Sequence, residues 1–329
     1  MRYSGKIISL AFPDTFVQHS EESSTKILLA FGLGRHNYIK AGHAAFVLIE
    51  NASGHAAYYD FGRYITPPGY GRVRSATTDV ELEIPFKAIF TEDMALSNIE
   101  KFLLWLEAHP EKTHGSGRLV ASVCDYIDYK KAKDYITSIQ KKGSIPYKAF
   151  GKEGSNCSRI VTDTILASTD HNKIRIPLLR NKLFTPSPLG NVEKSALFNP
   201  IYQVYNKKLS VYSGSVLKEN LTNYFDKNIP STIVENIDQP KEFLQNAQFL
   251  SGTGSSAYFT LDATQEKQIV KITRYTQYGV QDFKGFFRVE NASFDASKAF
   301  RFVYDSNCQY CHVAQKGQKI RMDLVKRLA

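Results

Sequence analysis

The chain has little of what marks several large protein classes. Four cysteines in 329 residues, at 124, 157, 308 and 311, are too few and too unevenly spaced for a disulfide framework. A reducing compartment is expected, and each thiol is read on its own. No run of about 18 apolar residues occurs, which excludes a membrane-spanning helix, and the stretch from Met1 to Pro13 is too quickly broken for a signal peptide. A cytoplasmic location is the default, with export by a signal-independent route as the alternative. Charge of one sign is nowhere concentrated: 42 Lys and Arg against 32 Asp and Glu give +10, but in scattered pairs such as Lys130-Lys131 and Lys207-Lys208. Nucleic acid is therefore not expected as a partner. Gly32-Leu-Gly34 lacks the third glycine of a dinucleotide fingerprint, and nothing before Asp60-Phe61-Gly62 resembles a kinase loop and lysine strand.

What is present is a chain 43% hydrophobic and 12% aromatic, long enough for two cores. Residues 5–12 and 25–31 read as short strands. His43–Glu50 and His55–Gly62 flank the turn signal Asn51-Ala-Ser-Gly54 and make the clearest hairpin. Residues 80–90 alternate apolar and polar side chains as a half-exposed strand, with Pro85 at an edge or bend. Ile99, Phe102, Leu103 and Leu106 have helical spacing, Leu119–Cys124 is strand-like, and Asp128 caps a helix that runs to about Gln140. Prolines at 177, 186, 188 and 200 suggest a linker, a helix is expected around 214–226, and short strands recur at 209–212, 257–261, 267–274, 286–289 and 300–304. The expected architecture is α+β: one domain over 1–190 with an antiparallel sheet and a cysteine helix, then a small β-rich domain over 191–329.

Two residues stand where chemistry would need them. His43 opens an apolar strand, and Cys157 opens a helix after Asn156, with Ile160, Val161, Thr164 and Ile165 as its apolar stripe. A thiol is nucleophilic as thiolate, and a helix N-terminus and a neighbouring imidazole both lower its pKa. Taken alone, Cys157 reads more simply as a small buried hydrophobe. A turn centred on Ala52-Ser53 pairs Ala45 with Asp60, which puts Asp60 on the face of His43; a slip of one residue would reverse that. His55 sits at the turn, roughly 23 Å of strand from His43, and reads as an exposed turn residue.

The strand-opening His43, the segment Pro146-Tyr147-Lys-Ala-Phe150 and the run Asn156-Cys157-Ser158-Arg-Ile-Val161 together resemble the circularly permuted NlpC-like papain-fold cysteine hydrolases, the YiiX-like and lecithin:retinol acyltransferase-like branch. The likeness spans residues 38 to 168. It implies a permuted papain-like domain with Cys157 as nucleophile, His43 as base and Asp60 as the polar residue orienting that base. Relatives commonly carry Glu or His in this third role, so its holder is left open. The resemblance implies cleavage or transfer at an amide, ester or thioester, most often in a cell-wall peptide or a lipid acyl group, with the Cys157 N–H as one oxyanion donor and the second unassigned. The rivals are a non-catalytic binding or structural protein on this fold and a signal-less secreted cell-wall toxin. No cofactor or metal is called for: Cys308-Gln-Tyr-Cys311-His312 has the spacing of a haem attachment site but lies in a β pattern, and as a tetrahedral metal site it is one ligand short.

Overall fold

The computed structural model describes residues 3–18, 34–35, 38–150, 153–183, 185–230, 246–291 and 293–328. The strand expected at 25–31 lies outside them. The first unit contains, in chain order, β1 (Gly5–Phe12), β2 (Val17–Gln18), β3 (Tyr38–Ile39), β4 (His43–Glu50), β5 (Ala56–Gly62), β6 (Tyr70–Arg74), α1 (Ile99–Glu107), α2 (Pro110–Thr113), β7 (Leu119–Ile127), α3 (Tyr129–Gln140), β8 (Ile145–Pro146), α4 (Cys157–Ser168), α5 (Asn172–Lys182), α6 (Pro188–Ala196), β9 (Tyr202–Tyr205), β10 (Lys208–Val211) and α7 (Val216–Tyr224). Eight strands form one sheet in the order β10-β9-β7-β1-β4-β5-β6-β8, and their pairs are antiparallel.

The central strands read as almost continuous apolar runs because both faces of the sheet are covered. Ile8, Leu10, Ala45 and Val47 pack with Phe102, Leu103 and Leu106 of α1 on one face. Ile7, Ala44, Phe46 and Leu48 pack with Ile136 of α3 and Ile160, Val161 and Ile165 of α4 on the other. The β4–β5 register pairs Ala45 with Asp60, as the turn arithmetic requires. Asp128 caps α3 by accepting from the Lys131 N–H, and Gly143 leaves that helix at φ +69.

Three expectations are corrected. Residues 80–90 form a short 3-10 turn at Val80–Leu82 and no long strand. The alternation is real, but Arg72 grips the buried Asp79 carboxylate with two 2.7 Å bonds and holds the chain in a turn there. The proposed linker is two helices. Ile174 and Leu178 give α5 a buried i, i+4 face despite Pro177, while Pro188 opens α6 behind a Ser187 cap, where proline costs nothing. The division at 190 would separate β9 and β10 from the first unit, yet β9 pairs with β7 and extends that sheet.

The second unit contains β11 (Gln248–Leu250), β12 (Ala257–Ala263), β13 (Ile269–Thr276), β14 (Gln281–Val289), β15 (Arg301–Val303), β16 (Tyr310–Gln315) and β17 (Gln318–Arg327). They form a seven-stranded antiparallel sheet around Phe259, Ile272, Phe287, Phe302, Val313 and Met322. The sheet curls almost into a barrel: Gln248 on edge strand β11 donates to the Phe300 carbonyl and accepts from the Phe302 N–H beside the other edge strand, β15. Overall the chain is a mixed α and β protein with antiparallel sheets.

The two units share a seam of backbone bonds and buried charge. Ile65 N–H donates to Ser255 O at 2.9 Å, Gly254 N–H to Arg63 O at 2.8 Å, and Cys308 N–H to Thr78 O at 3.0 Å. Arg274 of β13, 2% exposed, pairs with Asp79 and Glu81 of the first unit and with Asp282 of its own. Among the described residues no helix is long and apolar enough to cross a membrane.

Candidate active site

Each chemical group owes its position to a local rule. Asn156 has extended backbone geometry and accepts a 2.9 Å bond from the Arg159 N–H, so Cys157 becomes the first residue of α4. The Asn156 amide also donates to the Lys148 and Ala149 carbonyls, which ties the Pro-Tyr-x-x-Phe segment to the helix start. Tyr147 is fixed by its N–H bond to Gly69 O and a parallel bridge to Ser155. His43 begins β4 opposite Phe12 of β1, and the two rings stack at 6.3 Å.

The structure brings the three sequence-derived residues together. The His43 imidazole and the Cys157 thiol are near enough to act on each other's ionisation, and both side chains are buried, at 6% and 7% exposure. His43 Nε2 lies 3.7 Å from Asp60 Oδ2, an ionic contact longer than a hydrogen bond, and Nε2 has no hydrogen-bond partner. Asp60 is anchored elsewhere: Arg74 grips it with bonds of 3.0 and 2.5 Å, and the Tyr58 hydroxyl donates to it at 3.2 Å. The Arg74 guanidinium lies 3.7 Å over the Tyr64 ring and donates to the Lys112 carbonyl. The result is a buried line of alternating charge, Cys157–His43–Asp60–Arg74.

The electrostatics follow from that line. Burial is the largest effect on the Cys157 thiol and pushes it up, but His43, the Ala44 N–H and Ser158 outweigh burial and bring it below its ordinary value. Burial likewise opposes the His43 imidazolium, yet Asp60 and Cys157 outweigh it and raise His43 to about 9. Both directions favour a thiolate–imidazolium pair. Burial would raise the Asp60 carboxyl, but Arg74 first and His43 next hold it well below the usual carboxylate range. The other thiols differ: burial, helped at Cys124 by the charge of Asp125, pushes Cys124 and Cys311 up to about 12, and Cys308 goes up as well.

Sequence reasoning quoted Tyr147 without giving it a role and missed Arg74 and His114. Tyr147 lies near Cys157, and burial first, then the Cys157 thiol, pushes its hydroxyl above the ordinary value. Its signal was the Pro-Tyr pair of the motif itself. His114 stacks on Tyr64 at 4.9 Å, and burial, helped by the charge of Arg74, lowers it to about 3, so it is neutral and no rival base. No short-range pattern marks Arg74 or His114. Cys308 and Cys311 lie in the core of the second sheet, His312 Nδ1 sits 2.9 Å from the Asp305 carbonyl oxygen, and no group of three or more His, Cys, Asp or Glu among the described residues is placed to hold a metal ion.

His43, Tyr147, Arg74 and His114 border a cleft of about 770 Å³ between the two units. Arg63, Lys112, Glu81, Glu111 and Asp282 line it as well, so its walls are mixed in charge. The family model described as type VI secretion system effector TseH-like matches residues 7–174, a span that contains every member of this site. The chain belongs to the TseH-like effector family. A second model, the DUF6695 C-terminal domain, matches residues 247–325 and so corresponds to the curled sheet of this TseH-like protein. A solved crystal structure of the type VI secretion system effector TseH shares 19% identity, with 64% of this chain and 99% of that chain covered and a TM-score of 0.42. No curated protein matches.

Proposed function

We propose that this TseH-like effector is a cysteine-dependent hydrolase of cell-wall peptide, with the order of a permuted papain-like site: histidine strand first, cysteine helix second. The single observation that carries the reading is the line Cys157–His43–Asp60–Arg74, of which His43 and Arg74 border the cleft. In this reading the Cys157 thiolate attacks a carbonyl carbon while the His43 imidazolium holds the proton it later gives to the leaving amine. With Nε2 turned to Asp60, Nδ1 is the nitrogen that serves the thiol and the leaving group. The Cys157 N–H at the start of α4 and the hydroxyl of the neighbouring Tyr147 are the two donors this reading assigns to the oxyanion of the tetrahedral intermediate. Water then hydrolyses the thioester with His43 as base.

The cleft favours a peptide over a lipid acyl chain. Charged side chains of both signs stand among the aromatic and aliphatic ones that line this cleft; they suit a zwitterionic peptide and would be costly to bury against an acyl chain. Membership of a type VI effector family supports delivery by a secretion apparatus and an action on another cell. The test is digestion of purified cell-wall sacculi with mass spectrometry of the released fragments. New amine and carboxyl ends at one peptide bond, absent with Cys157→Ala, are expected; fragments that persist with Cys157→Ala would refute the assignment.

A further inference from the structure

The same cleft has a wall that the catalytic line does not account for. Loop Thr253–Ala257 and the tip of the β13–β14 hairpin, Thr276–Val280, border it from the second unit. At that tip Tyr278 and Val280 are 64% and 63% exposed, large apolar side chains held out at the rim of the cleft. Their support is rigid. The β13–β14 pairing shifts register between Arg274 and Tyr275, leaving Asp282 as the extra residue of a bulge, and the Asp282 carboxylate returns to Arg274 with bonds of 3.0 and 2.8 Å. Bulges re-aim side chains and increase local twist. Arg274 is in turn gripped by Asp79 and Glu81 across the seam, and the Gln277 side chain accepts a 3.1 Å bond from the Ser256 N–H. Buried charge thus fixes the hairpin base against the first unit, while its tip offers an aromatic face that nothing among the described residues covers.

We propose that this hairpin tip selects the substrate of the site above: Tyr278 and Val280 hold a part of the cell-wall polymer remote from the scissile bond, a peptide stem still attached to its glycan strand. The inference rests on the hydrolase reading. A tyrosine gives large contact area at low entropy cost and stacks on the C–H faces of sugars and peptide side chains. A cleft of about 770 Å³ also exceeds what one scissile dipeptide needs.

The test uses the full-length chain and purified sacculi. Cys157→Ala protein should co-sediment with sacculi, and adding Tyr278→Ala with Val280→Ser should weaken that retention by about tenfold or more, as loss of an aromatic anchor does. With Cys157 intact, the same pair of changes should raise KM on sacculi by a similar factor, while Cys157 alkylation keeps its native rate and pH profile. Unchanged retention and unchanged KM would overturn the proposal. So would alkylation lost together with binding, which would make the hairpin a mere support of the site. If Cys157→Ala protein does not bind sacculi at all, the selector role falls, while selective alkylation of Cys157 would leave the thiol site standing.

Discussion

Removing Arg74 separates what the buried ion pair does for stability from what it does for the thiol. Arg74 and Asp60 are 2% and 1% exposed, and the carboxylate has the guanidinium as its principal partner. Arg74→Met leaves a buried carboxylate with only the Tyr58 hydroxyl and a distant imidazole, and Asp60→Asn leaves a buried guanidinium without its counter-charge. Breaking one side of such a pair costs about 3–5 kcal/mol. At about 2–4 °C per kcal/mol for a unit of this size, each single change should lower the melting temperature by roughly 6–20 °C. Replacing both groups by apolar ones of similar volume, Arg74→Met with Asp60→Leu, should recover most of that loss.

The thiol should not recover. Without the Asp60 carboxylate His43 loses the first of the influences that raise it against burial, the imidazolium weakens, and Cys157 moves back up. Alkylation of the double variant at mildly acidic pH should therefore stay slow even though the protein melts near the native temperature. The acid limb of stability gives an independent reading. The Asp60 carboxyl is depressed below its ordinary 3.8, so its contribution is complete above that value and is lost as the pH falls below it toward the folded pKa. Native protein should lose melting temperature below about pH 4, and the double variant should lack the Asp60 share of that loss. Single variants that melt like the native chain, or a double variant that keeps native alkylation, would refute the reasoning.

Asn156→Ala should cost about 0.5–2 kcal/mol in thermal unfolding and also slow Cys157 alkylation, because the cap defines where α4 begins. Gly252→Ala should loosen the seam between the units, since a Cβ there would stand 2.4 Å from the Ile65 nitrogen and the Ser255 carbonyl oxygen; faster amide exchange at Ile65 and Gly254 would report it. Tyr147→Phe should leave the melting temperature within about 1–3 °C of native and lower the rate of hydrolysis by about 10²-fold or more if its hydroxyl stabilises the oxyanion.

The parts of this fold that were legible in the sequence are those that local rules determine. The β4–β5 hairpin follows from a turn signal between two apolar runs, and its register follows from the turn centre, so the shared position of His43 and Asp60 could be derived before any coordinates. The start of α4 at Cys157 follows from the Asn156 cap. What stayed hidden depends on contacts distant in sequence. Arg74 looks like any strand arginine until Asp60 faces it, and the turn at Val80 depends on Arg72 and Arg274 gripping Asp79. Prolines 177 and 188 suggested a linker because composition cannot show that Ile174 and Leu178 have a core to enter. The β16–β17 hairpin turns at Lys316-Gly317, both at positive φ, and β17 alternates Ile320, Met322 and Leu324 with Lys319, Arg321 and Asp323, a legible strand pattern that sequence reasoning missed.

The most direct measurement is the pH dependence of alkylation at each of the four cysteines, followed by mass spectrometry in native and His43→Ala protein. Cys157 should react far faster than Cys124, Cys308 and Cys311 at about pH 6, well below the ordinary thiol value of about 8.5, because His43 holds it as thiolate while burial keeps the other three protonated. His43→Ala should slow that labelling by about tenfold or more at pH 6 and little above pH 9, where any thiol ionises. Equal labelling of all four thiols, or a Cys157 profile unmoved by the loss of His43, would contradict the account.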